Sequence, residues 1–99
     1  MKVLVIGAGG REHAIIWKLA QSKRVSEIYC APGNAGIKHI ARCVDIRPSD
    51  ISALCDFALE NQIDLTIVTS KQALFSGITD LFRKHDLMIF GPAQAAAKI

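Results

Sequence analysis

Lys2-Val3-Leu4-Val5-Ile6-Gly7-Ala8-Gly9-Gly10-Arg11 opens as an unbroken apolar run of strand length and then places three glycines in four positions. A strand that is apolar at successive positions is buried on both faces, as in a parallel sheet with helices above and below. The glycines end the strand in a tight turn. Residues 11–21 then predict a helix, with Ala14, Ile15, Trp17 and Leu19 supplying its apolar content. Strand, glycine turn and helix together make the first half of a βαβ unit.

The alternation continues. Residues 26–30 predict a second strand, the turn-rich Ala31-Pro32-Gly33-Asn34-Ala35-Gly36 breaks it, and residues 42–46 predict a third. Ile51, Leu54, Cys55, Ala58 and Leu59 recur at helical spacing, with Ser49 or Asp50 as the cap. Residues 64–68 predict strand four, Leu74, Ile78, Leu81 and Phe82 a third helical stripe, and residues 87–90 strand five. Pro92 suits the first turn of a further helix over residues 93–99. Strands alternating with helices at this spacing predict an α/β fold, a small doubly wound parallel sheet of about five strands with flanking helices. The expected division is one domain over residues 1–91, with 92–99 beginning a helix that leads into a larger protein.

Composition narrows the function classes. The 99 residues are 51% hydrophobic and 21% charged, which excludes a disordered chain. Twelve Lys and Arg against nine Asp and Glu leave a net charge of +3, with the basic residues scattered along the chain. A nucleic-acid binder shows a basic stripe with interleaved aromatics, so a small anionic ligand suits this charge better than a polyanion. Cys30, Cys43 and Cys55 have no Cys-x-x-Cys spacing and read as reduced, buried structural thiols of a reducing compartment. No apolar stretch approaches the roughly 20 residues of a membrane span, and no signal peptide is legible. The expectation is a soluble, cytoplasmic protein without a membrane partner.

In a doubly wound sheet, ligands bind beyond the C-terminal ends of the strands, and the glycine turn belongs there. Glycines let the backbone approach an anion, and the N–H groups that start the helix point at it. Arg11 would add a charge-assisted hydrogen bond. A dinucleotide is disfavoured: Glu12 stands where the fingerprint has its third glycine, and strand two ends Tyr29-Cys30-Ala31-Pro32 without a carboxylate. In the second loop Pro32 fixes φ, Gly33 and Gly36 permit positive φ, and the Asn34 amide can both donate and accept. His13 adjoins the glycine turn, whereas His39 and His85 read as surface residues. No catalytic nucleophile–base set and no metal-ligand cluster is legible.

Gly9-Gly10-Arg11-Glu12-His13, Ala31-Pro32-Gly33-Asn34-Ala35-Gly36 and Ile89-Phe90-Gly91-Pro92 resemble the start of the phosphoribosylamine–glycine ligase family (glycinamide ribonucleotide synthetases). The resemblance runs through essentially the whole chain. It implies a Rossmann-like, pre-ATP-grasp domain that helps seat 5-phosphoribosylamine, with Gly9, Gly10, Arg11, Glu12, Asn34 and Gly36 at the substrate. The family joins glycine to that amine in purine biosynthesis, cleaving ATP. ATP and magnesium would belong to an ATP-grasp portion outside this chain, and the rest of the ligase would be its partner. One departure is sharp. After strand four the family carries Gly-Pro-Glu-x-Pro-Leu, whereas this chain reads Thr69-Ser70-Lys71-Gln72-Ala73-Leu74, with Lys71 in place of the glutamate. A stand-alone nucleotide or sugar-phosphate binding module, a degenerate non-catalytic homologue and an NAD-linked domain remain the alternatives.

Overall fold

The computed structural model describes residues 1–7, 9–92 and 94. The predicted helix over residues 93–99 lies outside the described residues, apart from Gln94. Five strands form one all-parallel sheet: β1 (Lys2–Gly7), β2 (Glu27–Pro32), β3 (Arg42–Cys43), β4 (Leu65–Val68) and β5 (Ile89–Phe90), in the order β3-β2-β1-β4-β5. The helices are α1 (Gly10–Leu19), α2 (Ile51–Glu60), α3 (Lys71–Phe75) and α4 (Ile78–Lys84), with a 3-10 turn at Ile37–His39. This is the α/β fold expected from the sequence.

The run in β1 is apolar throughout because both faces are covered. Leu4 and Ile6 face one core with Leu54, Ala58, Ile78 and Phe82, whereas Val3 and Val5 face another with Ile16, Leu19 and Ile37. Pleating sends alternate side chains to opposite sides, so one strand serves both cores.

Several expectations need correction. The buried face of α1 carries Glu12, Ile16 and Leu19 at i, i+4 and i+7, while Ala14 and Trp17 are exposed, Trp17 at 60%. Both cores exclude Trp17 because it lies about 100° around the helix from Ile16. The third predicted helix is two. Gly77, at φ +84°, breaks it between α3 and α4, leaving Leu74 half-exposed and burying Ile78 and Phe82. In α2 the cap is Asp50, whose Oδ1 accepts from the Ala53 N–H at 3.2 Å, and Leu59 is exposed. Strand β3 stops at Cys43 because the Ile46 N–H turns back onto the Val44 carbonyl instead of continuing the ladder. Strand β5 starts late because the Leu87 N–H is held by the Phe82 carbonyl at the end of α4.

Candidate functional site

The sheet order sends the chain from β1 to β2 on one side, with β4 on the other. The crevice beyond β1 is therefore the switch point where ligands of such sheets bind. Gly9 sits there as the N-cap of α1, with extended backbone at φ −89° and ψ −177°, and no side chain caps the helix. The first N–H groups of a helix have no partner within it, and the positive end of its dipole favours an anion. Arg11 is exposed in the same first turn.

Glu12 turns inward. It is 8% exposed, and its Oε1 accepts a short hydrogen bond from Thr69 Oγ1. A Cβ at Gly7 would overlap both Glu12 Cγ and Thr69 Oγ1. The Glu12 side chain thus fills the space above Gly7 and ties the start of α1 to the end of β4. The sequence gives no local sign of Thr69, its partner 57 positions away.

The 31–36 loop is bound to the same turn. The Gly33 N–H donates to the Gly7 carbonyl at 3.2 Å, and Cys30 Sγ donates to that oxygen, also at 3.2 Å. Gly33 adopts φ +72°, and a Cβ there would meet Cys43 Sγ at 2.5 Å. Gly36 instead has φ −69° and ψ −36°, so the positive φ expected of it is not adopted. Asn34 Oδ1 accepts from the Ile37 N–H at 3.1 Å, capping the 3-10 turn. A Cβ at Gly36 would lie 3.4 Å from Asn34 Oδ1 and 3.6 Å from His13 Cε1. The fold therefore brings His13, Asn34 and Gly36 together on the β2 side of the glycine turn.

The three thiols are free. Cys30 and Cys55 are buried, whereas Cys43 is half-buried, contrary to expectation, because β3 is an edge strand. Burial pushes the Cys30 thiol up to about 12, with smaller contributions from Cys43 and Glu12. As a protonated donor to the Gly7 carbonyl, this thiol helps hold the turn. His39 and His85 are exposed.

On the β4–β5 side a cleft of about 410 Å³ opens between the first turn of α1 and helices α3 and α4. Arg11, Lys71 and Arg83 line it, with Leu74, Ile89 and Phe90 among its apolar walls. Lys71 is the first residue of α3, and Ser70 caps that helix, its Oγ accepting from the Ala73 N–H at 3.4 Å. Thr69-Ser70-Lys71 is thus the start of a capped helical turn. Arg83 was not singled out from sequence because it joins the cleft only through the packing of α4. Among the described residues, no three His, Cys, Asp or Glu side chains come together to hold a metal ion, and no helix is long and apolar enough to cross a membrane.

Known proteins agree with this architecture. A Saccharomyces cerevisiae saccharopine dehydrogenase superposes with a TM-score of 0.71 over 91% of this chain and 21% of its own, at 16% identity, a likeness of fold alone. A phosphoribosylamine–glycine ligase from Caldanaerobacter subterraneus is 58% identical over the whole chain, and one from Escherichia coli K12 is 52% identical. The chain spans 24% of the length of each of these two ligases. Residues 1–99 match the family described as "Phosphoribosylglycinamide synthetase, N domain". The chain therefore belongs to the phosphoribosylglycinamide synthetase N-domain family.

Proposed function

We propose that this chain is the N-terminal domain of a cytoplasmic ATP-dependent ligase of purine biosynthesis, which joins glycine to 5-phosphoribosylamine, and that it seats the phosphoribosyl group. The observation that carries this reading is the uncapped N-terminus of α1 at Gly9 and Gly10, with Arg11 in its first turn, in a chain of this family. The first-turn N–H groups receive the phosphate, the Arg11 guanidinium neutralises part of its charge, and Glu12 fixes the turn by holding Thr69. The loop at Asn34 and Gly36 closes the β2 side, where the sugar would lie. On this reading ATP and magnesium are handled by the remaining three-quarters of the ligase.

The test is an amide NMR titration with ribose 5-phosphate at low ionic strength. Gly9, Gly10 and Arg11 should shift, and Asn34 and Gly36 should follow if the sugar lies over them. Amides of the turn that move with NAD and stay still with ribose 5-phosphate would overturn the proposal in favour of a dinucleotide domain.

A further inference from the structure

The backbone of Gly36 does not require glycine. At φ −69° and ψ −36° it sits in the right-handed helical region that any residue adopts. What a side chain there would change is space. A Cβ would come to 3.4 Å from Asn34 Oδ1 and 3.6 Å from His13 Cε1, ordinary contact with both, and would close the gap between them. The glycine thus leaves an exposed notch, with Asn34 on one side and the His13 imidazole on the other.

The fold fixes both walls. Asn34 is half-buried, and its Oδ1 accepts from the Ile37 N–H at 3.1 Å. His13 follows Arg11 by two residues on α1, about 200° around the helix. Arg11 therefore lines the β4–β5 cleft while His13 stands beside the 31–36 loop, and Glu12 between them turns inward. The His13 N–H donates to the Gly9 carbonyl at 3.3 Å, which puts the residue one helical turn from the N–H groups that face the phosphate. Among the described residues, neither imidazole nitrogen has a hydrogen-bond partner. A neutral imidazole offers one donor and one acceptor, which suits a hydroxyl or an amine.

We propose that this notch receives the ribosyl group and that His13 is a specificity residue, bonding a hydroxyl or the amine of the sugar while the glycine turn holds the phosphate. This role rests on the reading that seats the phosphate at Gly9 and Gly10 and the sugar over Asn34 and Gly36. Arg11 and His13 then divide the work: the first neutralises charge, and the second tells a sugar phosphate from phosphate alone.

Calorimetry and NMR titrations at low ionic strength compare ribose 5-phosphate with inorganic phosphate, on this chain and its His13→Leu, His13→Gln and Gly36→Ala variants. Both positions are exposed, and the dispersion of the spectra verifies that each variant is folded. Ribose 5-phosphate should shift the Gly36 amide and the His13 ring protons beyond any change that inorganic phosphate causes. His13→Leu removes both nitrogens; it should weaken ribose 5-phosphate about fivefold, the worth of one neutral hydrogen bond, and leave inorganic phosphate within about twofold. His13→Gln should recover most of that loss, since its amide supplies a donor and an acceptor. Gly36→Ala should hold or raise Tm, because its backbone suits alanine, yet weaken ribose 5-phosphate as much as His13→Leu does by filling the notch. A His13→Leu variant that weakens both ligands alike, or neither, would overturn the assignment, as would Gly36→Ala with full affinity for the sugar phosphate. If Gly9 and Gly10 shift while His13 and Gly36 stay still, the notch alone fails. If Gly9 and Gly10 stay still with both ligands, the phosphate reading fails and the role of His13 falls with it.

Discussion

Replacing Thr69 by valine keeps the shape of the side chain and deletes one hydroxyl, and the structure fixes what that hydroxyl does. Thr69 Oγ1 lies within hydrogen-bond distance of two acceptors, Glu12 Oε1 and the Ile6 carbonyl, the latter at 2.9 Å. A hydroxyl has one proton to give. The Ile6 carbonyl also receives the Thr69 N–H at 3.2 Å, so it keeps a partner when the hydroxyl is gone. Glu12, at 8% exposure, loses a donor to a carboxylate that water reaches poorly. Removing such a donor costs about 1.5–3 kcal/mol. For a domain of this size that is a fall in Tm of roughly 10 °C. Glu12→Gln should cost less, about 1 kcal/mol, since an amide oxygen still accepts from Thr69. Urea unfolding followed by far-UV circular dichroism measures both; Trp17, exposed on α1, is a poor fluorescence reporter of the core. In the double variant the two effects should fall short of additive by about 1 kcal/mol, since they remove one shared bond. Thr69→Val within 0.5 kcal/mol of the parent would refute the claim that this bond ties α1 to β4.

Two further outcomes follow from buried groups. Thr66 Oγ1 is buried in β4 without a hydrogen-bond partner among the described residues, so Thr66→Val should raise stability by about 1–2 kcal/mol in the same urea assay; a loss would mean the hydroxyl is satisfied. The Cys30 thiol is raised from an ordinary 9.0 to about 12 in the folded chain, so the unfolded chain loses that proton first. The corresponding stability is complete below about pH 9 and is lost as pH rises toward 12, and Cys30→Ala should flatten that slope. An unchanged slope would show that other groups carry it.

The sequence by itself determined the sheet. An apolar run cut by glycines, followed by strands and helices in alternation, can bury both faces of β1 only in a parallel sheet with helices on each side, and that is the fold found. It also determined the glycine turn and the strand–loop order that puts residues 31–36 at the same end. Periodicity counts apolar residues around a helix and is blind to where the helix meets the sheet. For that reason it counts Trp17 in the apolar content of the helix and passes over Glu12, which shares the face of Ile16 and Leu19. It is equally blind to a single left-handed residue, so Gly77 divided a stripe that the pattern joined. Tertiary structure alone decided that Glu12 pairs with Thr69, that Asn34 and Gly36 lie beside His13, and that Lys71 and Arg83 share a cleft with Arg11. The reason is one of range: propensity and spacing act over a turn or two of chain, whereas these contacts join residues 12 to 72 positions apart, brought together only when strands pair and helices pack.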